Sequence, residues 1–297
     1  MNTETQQSTI TAEMRSLIVK NLKERRQNHG GTDTSFARSM GINPAQYSRI
    51  VAGNYFQVIS DQQWVRLAHE TNTEIRGKQK WNTAATFVFK KVTEQLRKCQ
   101  DKSLCGILVD DADIGKTHAA KEYAKNNKFA VYIDCSQYKK KRLLIGAIAK
   151  AFGVDGDGSY DQVVERVMHY INNYATNPLV ILDEAGDLDQ AARLELKRYW
   201  NATEQRCGWY QIGAEGLREI IRRSIEHKRI GAVETFSRFG NRFQRFTPES
   251  KEDKDRFAMQ QAALIIKANA TEKADQQKVL VKTKGSLRRI HTELSKL

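Results

Sequence analysis

Apolar positions recur along this chain in three successive patterns. From about residue 10 to 76 the spacing is helical. The stretch TAEMRSLIVKNLKERR puts Met14, Leu17, Ile18 and Leu22 on one predicted helical face. In TSFARSMGINPAQYSRIVAGN, Ala37, Gly41, Tyr47 and Ile50 have the offsets of a helix-turn-helix. That motif needs a small residue where two helices cross, a glycine in the turn and two apolar anchors in the second helix. Asn43 is a suitable N-cap with Pro44 in the first helical position. Gln46, Ser48 and Arg49 are thereby predicted on the outer face, within reach of base edges or phosphates.

From about 78 to 247 short apolar runs alternate with helical stretches. SLCGILVD, KFAVYIDCS, PLVILDEAGDL and GWYQIGAE read as strands. FVFKKVTEQLRKC, THAAKEYAKNN, RLLIGAIAKAFGV, SYDQVVERVMHYINNYA and ARLELKRYWNATEQ read as helices, with Val163, Val164, Val167 and Tyr170 on one face of the fourth. Strands separated by helices of this length predict crossover connections and a parallel sheet. From about 248 the pattern is helical again, in KEDKDRFAMQQAALIIKANA and GSLRRIHTELSKL. The expected division is 1–76, 77–247 and 248–297, an α/β core between an all-α N-terminal domain and a small helical lid. Only Pro44, Pro178 and Pro248 interrupt this, and no repeat of fixed period is visible.

Composition adds one strong signal. The formal net charge is +14, with 49 Lys and Arg against 35 Asp and Glu, which points to polyanionic partners, nucleic acid first. No run approaches the roughly 18 apolar residues of a membrane span, and the polar start MNTETQQSTI lacks the apolar core of a signal peptide. Cys99, Cys105, Cys135 and Cys207 have no paired spacing, so reduced thiols in a cytoplasmic setting are expected, without a zinc site or a membrane partner.

The candidate chemistry lies at the ends of two predicted strands. In VDDADIGKTHAAKEYA, Gly115-Lys116-Thr117 follows a strand and opens a helix, which is the context of a phosphate-binding loop. Asp113, Ile114, Gly115, Lys116, Thr117 and His118 are the candidate phosphate contacts. Lys116 is placed to reach the β- and γ-phosphates of ATP, and Thr117 to give its hydroxyl to Mg²⁺. The loop's usual first glycine is replaced by Asp110, and the acids at 110, 111 and 113 are awkward neighbours for a triphosphate. A second motif supports the first. LVILDEA ends an apolar strand in Asp183, a hard oxygen ligand for Mg²⁺, and Glu184, suited to activate the attacking water.

With both motifs in a β/α frame, the chain resembles AAA+ ATPases, and in particular the AAA+ transposition regulators of the phage Mu B protein and TnsC type. The resemblance covers the helix-turn-helix, the loop ending Gly115-Lys116-Thr117, the strand ending Asp183-Glu184-Ala185 and the helical lid. It implies an arginine supplied by a neighbouring subunit, and ETFSRFGNRFQRF offers Arg238 first and Arg242 second. It implies a lid arginine that contacts nucleotide, which KGSLRRIHTEL places at Arg288. It also implies duplex contacts from the core, for which Lys139, Lys140, Lys141 and Arg142 fit. Residues 218–245, with eight Lys and Arg against three Glu, are a second candidate. Ala214 and Glu215 depart from the polar residue expected after the fourth strand, which together with Asp110 implies weak or assembly-dependent hydrolysis.

The resulting expectation is an ATP-dependent, non-sequence-specific DNA-binding protein. It oligomerises on duplex DNA and directs a transposase to its target. Two alternatives stay open: a helicase-loader ATPase, and a helix-turn-helix transcriptional regulator indifferent to ATP.

Overall fold

The computed structural model describes residues 10–27, 29, 32–55, 57–71, 73, 81–270 and 275–296. The chain divides into two compact units, Met1–Gln79 with Phe152–Asp157, and Lys80–Ala151 with Gly158–Leu297. The expected 76/77 boundary lies outside the described residues.

The first unit holds α1 (Ala12–Gln27), α2 (Asp33–Ser39), α3 (Pro44–Val51) and α4 (Asp61–Glu70). Asn43 caps α3 and Pro44 fills its first position, as the sequence implies. Gly41 turns the chain between α2 and α3 at φ 71°, a left-handed conformation that costs glycine little. Ala37, Tyr47 and Ile50 are buried with Phe36, Trp64 and Leu67 in one apolar cluster. Leu17 is a correction. It is 45% exposed, and α1 instead buries Ile18, Val19 and Leu22. The seam of α1 is therefore rotated from the predicted face.

The second unit runs α5 (Phe87–Lys102), β1 (Cys105–Val109), α6 (Lys116–Asn126), β2 (Ala130–Asp134), α7 (Lys141–Phe152) and α8 (Tyr160–Asn173). It continues with β3 (Leu179–Asp183), a 3-10 turn (Ala185–Asp187), α9 (Gln190–Ala202), β4 (Gly208–Gly213), α10 (Glu215–Glu226) and α11 (Ala232–Arg238). The lid holds α12 (Lys251–Asn269), α13 (Gln276–Thr283) and α14 (Leu287–Leu294). The strands form a parallel sheet in the order β1-β4-β3-β2. Gln244 bridges Leu108 in parallel on the free edge of β1, so a fifth segment extends the order to 5-1-4-3-2.

Every residue of β3 and β4 is buried, as strands covered on both faces require. Leu108, Leu179, Ile181, Tyr210 and Ile212 pack beneath α5 and α6. On the opposite face Tyr199 of α9 stacks on Trp209. The predicted face of α8 is buried through Val163, Val164, Val167 and Tyr170. In the lid, Ala262, Ile266, Val279, Ile290 and Leu294 form a separate small core against which Trp81 packs. All four cysteines are free thiols. Among the described residues no helix is long and apolar enough to cross a membrane.

Candidate functional site

Phosphate loops work through backbone amides, so the first question is where those amides point. Between β1 and α6 the chain turns through two left-handed residues, Asp113 at φ 62° and Gly115 at φ 95°. Gly115 is the N-cap of α6 and supplies no side-chain cap, which leaves the first-turn amides of the helix to an outside acceptor. The Ile114 side chain packs against the core under α5 and α6, so only its backbone serves the loop. The Lys116 ammonium donates to the carbonyl oxygens of Asp110 and Asp111 at 2.9 and 2.6 Å. Burial lowers its pKa, while Asp110, Asp183, Glu184 and Asp111 pull in the opposite sense. Thr117 stands half-buried in the first turn of α6.

The three loop aspartates all have partners outside the loop. Asp110 is 3% exposed. Its Oδ2 accepts the backbone N–H groups of Phe246 and Thr247 at 2.6 and 3.1 Å, and its Oδ1 accepts that of Asp111 at 2.8 Å. Asp110 does not adopt a positive φ, so the place of the missing glycine needs no glycine here. Asp111 pairs with Arg245 at 3.1 Å and Lys254 at 2.8 Å. Asp113 accepts from Ser286 Oγ at 2.7 Å and from the backbone N–H of Arg288 at 3.0 Å, at the start of α14. Asp110 and Asp111 thus fasten the loop to the 245–247 segment and the start of α12, and Asp113 fastens it to the start of α14.

Across the sheet, Asp183 ends β3 at the same carboxyl edge, separated from β1 only by β4. Ligands of parallel α/β sheets bind at this edge. Asp183 is 2% exposed. Its Oδ1 accepts the backbone N–H of Glu184 at 3.0 Å and its Oδ2 accepts the hydroxyl of Tyr132 at 2.8 Å. Burial first, then Asp183, raises the Tyr132 pKa, so the phenol stays protonated. Glu184 adopts a left-handed φ of 50° at the strand end and is exposed. Partial burial and then the Asp183 charge raise its pKa, opposed by Lys116.

Among the described residues no group of three or more His, Cys, Asp or Glu is arranged to hold a metal ion. Magnesium at a nucleotide needs less, because phosphates and waters supply most of its ligands. The donor set here is of the right kind. Asp183 is a hard carboxylate with one hydrogen-bond donor on each oxygen, which leaves lone pairs unused.

The lid reaches the loop through the start of α14. Leu287 lies 3.6 Å from where a side chain on Gly115 would begin. The Arg288 guanidinium is 82% exposed, with Nε 3.9 Å from Asp113. His118 Nε2 meets Thr83 Oγ1 at 3.0 Å. The segment carrying Thr83 is tied to the lid by Asn82 and Asn269, which exchange side-chain and backbone hydrogen bonds at 2.7 and 2.9 Å. Ala214 caps the start of α10 with no polar side chain, and Glu215 pairs with Arg218 at 3.0 Å.

Arg238 lies elsewhere. Its guanidinium sits 4.8 Å from the Trp200 ring centroid in the last turn of α9. That helix returns from the carboxyl end of β3 to the amino end of β4, so Arg238 stands about a strand's length, roughly 16 Å, from its own loop. Arg242 is exposed. Lys139 pairs with Asp187 at 3.1 Å beside the 3-10 turn, Lys141 lies over the Tyr160 ring, and Arg142 donates to the Gly158 carbonyl at 2.8 Å. Lys139, Lys140, Lys141 and Arg142 are all exposed.

In the first unit Ser48 and Arg49 are exposed. Gln46 differs from its sequence reading. Its Oε1 accepts the Asn43 backbone N–H at 3.0 Å and its Nε2 donates to the Val58 carbonyl at 3.1 Å. The side chain is half-buried and both ends are taken by the capping box and the loop before α4.

Sequence reasoning missed Tyr132, Arg245, Ser286 and Thr83. Only strand alternation hinted at the first, by placing Tyr132 and Asp134 on one face of β2.

The family model of the AAA domain matches residues 100–221. No curated protein matches the chain. Among solved structures, Cdc6p from Pyrobaculum aerophilum is similar at 14% identity, over 73% of this chain and 60% of that one, with a TM-score of 0.51. The Orc1 protein of Aeropyrum pernix, solved in complex with DNA, aligns at 13% identity over 73% and 66% of the two chains, with a TM-score of 0.47. The RuvB Holliday junction branch migration motor of Thermotoga maritima aligns at 15% identity over 70% and 59%, with a TM-score of 0.39. This chain therefore spans less than two thirds of the length of each. The Cdc6p likeness is one of fold, and it agrees with the parallel sheet and its loop. Residues 100–221 match the AAA domain, and the second unit has the parallel sheet and strand–loop–helix arrangement of that fold.

Proposed function

We propose that this chain is an ATP-driven DNA-binding protein that assembles on duplex DNA and directs a transposase to its target. Residues 1–76 serve as the helix-turn-helix DNA-binding part, 77–247 as the ATPase core and 248–297 as the lid. The observation that carries the reading is the convergence of Lys116, Asp183, Glu184 and the Arg288 end of α14 on one edge of the sheet. In this reading Lys116 leaves its two carbonyl partners for the β- and γ-phosphates, and the open amides of α6 take the remaining phosphate charge. Thr117 and Asp183 would hold Mg²⁺, which would supply charge neutralisation at the phosphates. Glu184 orients and deprotonates the attacking water. Arg288 approaches from the lid. Arg238, a strand's length from its own site, acts on a neighbour's, so hydrolysis depends on assembly.

The nucleic-acid part rests on the net charge of +14 and on exposed cations. Arg49 and Ser48 of α3, with Lys139, Lys140, Lys141 and Arg142, are the proposed phosphate contacts; Gln46 contributes by holding α3 rather than by reading bases. The transposase partner rests on the sequence resemblance. Electron microscopy of the protein on plain duplex DNA with ATP, ADP or no nucleotide tests the whole reading, with Lys116→Ala alongside. Filaments or rings on DNA that need ATP and vanish in Lys116→Ala support it. Nucleotide-independent behaviour of both proteins refutes it in favour of an ATP-indifferent regulator. A strict need for a replicative helicase, with no coating of bare duplex, identifies a loader instead.

A further inference from the structure

The hydroxyl of Tyr132 has no part in the chemistry described so far, yet it donates directly to the acid at the end of β3, at 2.8 Å from Asp183 Oδ2. The register explains the contact. Tyr132 is paired with Ile181 across the β2–β3 ladder, and Asp183 lies two residues further along the same face. Two residues along a strand span about 6.6 Å, a distance that the tyrosine side chain covers. The ring is gripped from the other side, since Lys121 of α6 places its ammonium 5.2 Å from the ring centroid. Tyr132 therefore bridges the helix that follows the phosphate loop and the acid at the end of β3.

We infer that Tyr132 is a positioning residue for Asp183 that sets how strongly the site takes up Mg²⁺. Asp183 is buried, and its other oxygen is already turned by the Glu184 amide. A neutral donor on Oδ2 fixes the carboxylate plane while leaving its charge intact for the ion. A cationic donor in the same place would cancel that charge, and no donor would let the carboxylate rotate. The inference rests on the nucleotide-site reading above.

Tyr132→Phe isolates the hydroxyl, because the ring and its contact with Lys121 remain. Equilibrium binding of ADP to the full chain is measured in EDTA and across a Mg²⁺ titration. The variant is expected to match the parent within about 2-fold in EDTA and to need about 10–100-fold more Mg²⁺ to reach half of the metal-dependent gain in affinity, the loss expected for one hydrogen bond to a charged group. Asp183→Asn should abolish most of that gain, and Tyr132→Phe should add nothing in that background. An unchanged Mg²⁺ midpoint overturns the inference, as does equal weakening with and without the metal. A variant that fails to fold also overturns it, since the hydroxyl then serves the core. If the parent protein itself binds no ADP under any condition, the nucleotide-site reading fails instead.

Discussion

The Asp110 carboxylate accepts the backbone N–H of Phe246 at 2.6 Å and so joins the start of the phosphate loop to a segment 136 residues further along the chain. The same oxygen takes the Thr247 amide, and the neighbouring strand segment bridges Leu108 through Gln244. A residue that breaks the loop motif is therefore the fastener of the fifth strand segment to β1.

This reverses the usual expectation for restoring a motif. Asp110→Gly removes the acceptor of three amides, two of them on the segment it anchors. It is expected to destabilise the chain by about 2–4 kcal/mol, because buried donors left without partners are costly. Asp110→Asn, which keeps one acceptor oxygen, should lose less. Denaturant unfolding of the three proteins checks the order. A glycine variant as stable as the parent would contradict it.

Asp113 and Ser286 form a latch between the loop and the lid, at 2.7 Å, reinforced by the Arg288 amide. A lid held over the loop slows both entry and exit of nucleotide. Asp113→Ala and Ser286→Ala are each expected to raise association and dissociation rates by about 3–10-fold, the scale of one lost hydrogen bond, with smaller changes in affinity. The double variant should fall short of the product of the two effects, because the residues share one contact. Stopped-flow measurement with a fluorescent nucleotide reads this directly.

Glu184 acts as a base only when ionised, and its pKa is raised by burial and by Asp183. The acid limb of the hydrolysis profile is therefore expected above the ordinary glutamate value of about 4.3, with activity rising as pH increases through the raised pKa. Glu184→Gln should remove the limb along with most of the activity. The stability sign is opposite. The folded chain keeps this proton to higher pH than the unfolded chain does, so the group favours the fold below the ordinary value, and that contribution is lost as pH rises through the raised one. Thermal unfolding of parent and Glu184→Gln across that window measures the difference.

The elements were largely legible because their causes are local. Apolar spacing placed β1, α6, β3 and α8, and the Asn43-Pro44 pair placed the start of α3. Leu17 was misread because Leu17 and Val19 flank the Met14–Ile18–Leu22 stripe on opposite sides, and only the packing partner chooses which of them is buried. Gln46 was misread because its exposure was judged from helical phase, while the capping box and the Val58 carbonyl drew it inward.

By itself the sequence determined the parallel α/β core, the basic charge, and the placing of Lys116 at a helix start and of Asp183 and Glu184 at a strand end, since a strand followed by a loop and a helix carries its own geometry. Only the tertiary structure decided what the acids around Lys116 do. Asp110 meets Phe246, Asp113 meets Ser286 and Asp183 meets Tyr132 because of strand order, register and lid placement. Those are set by the packing of whole faces against one another, and no short stretch of residues encodes them.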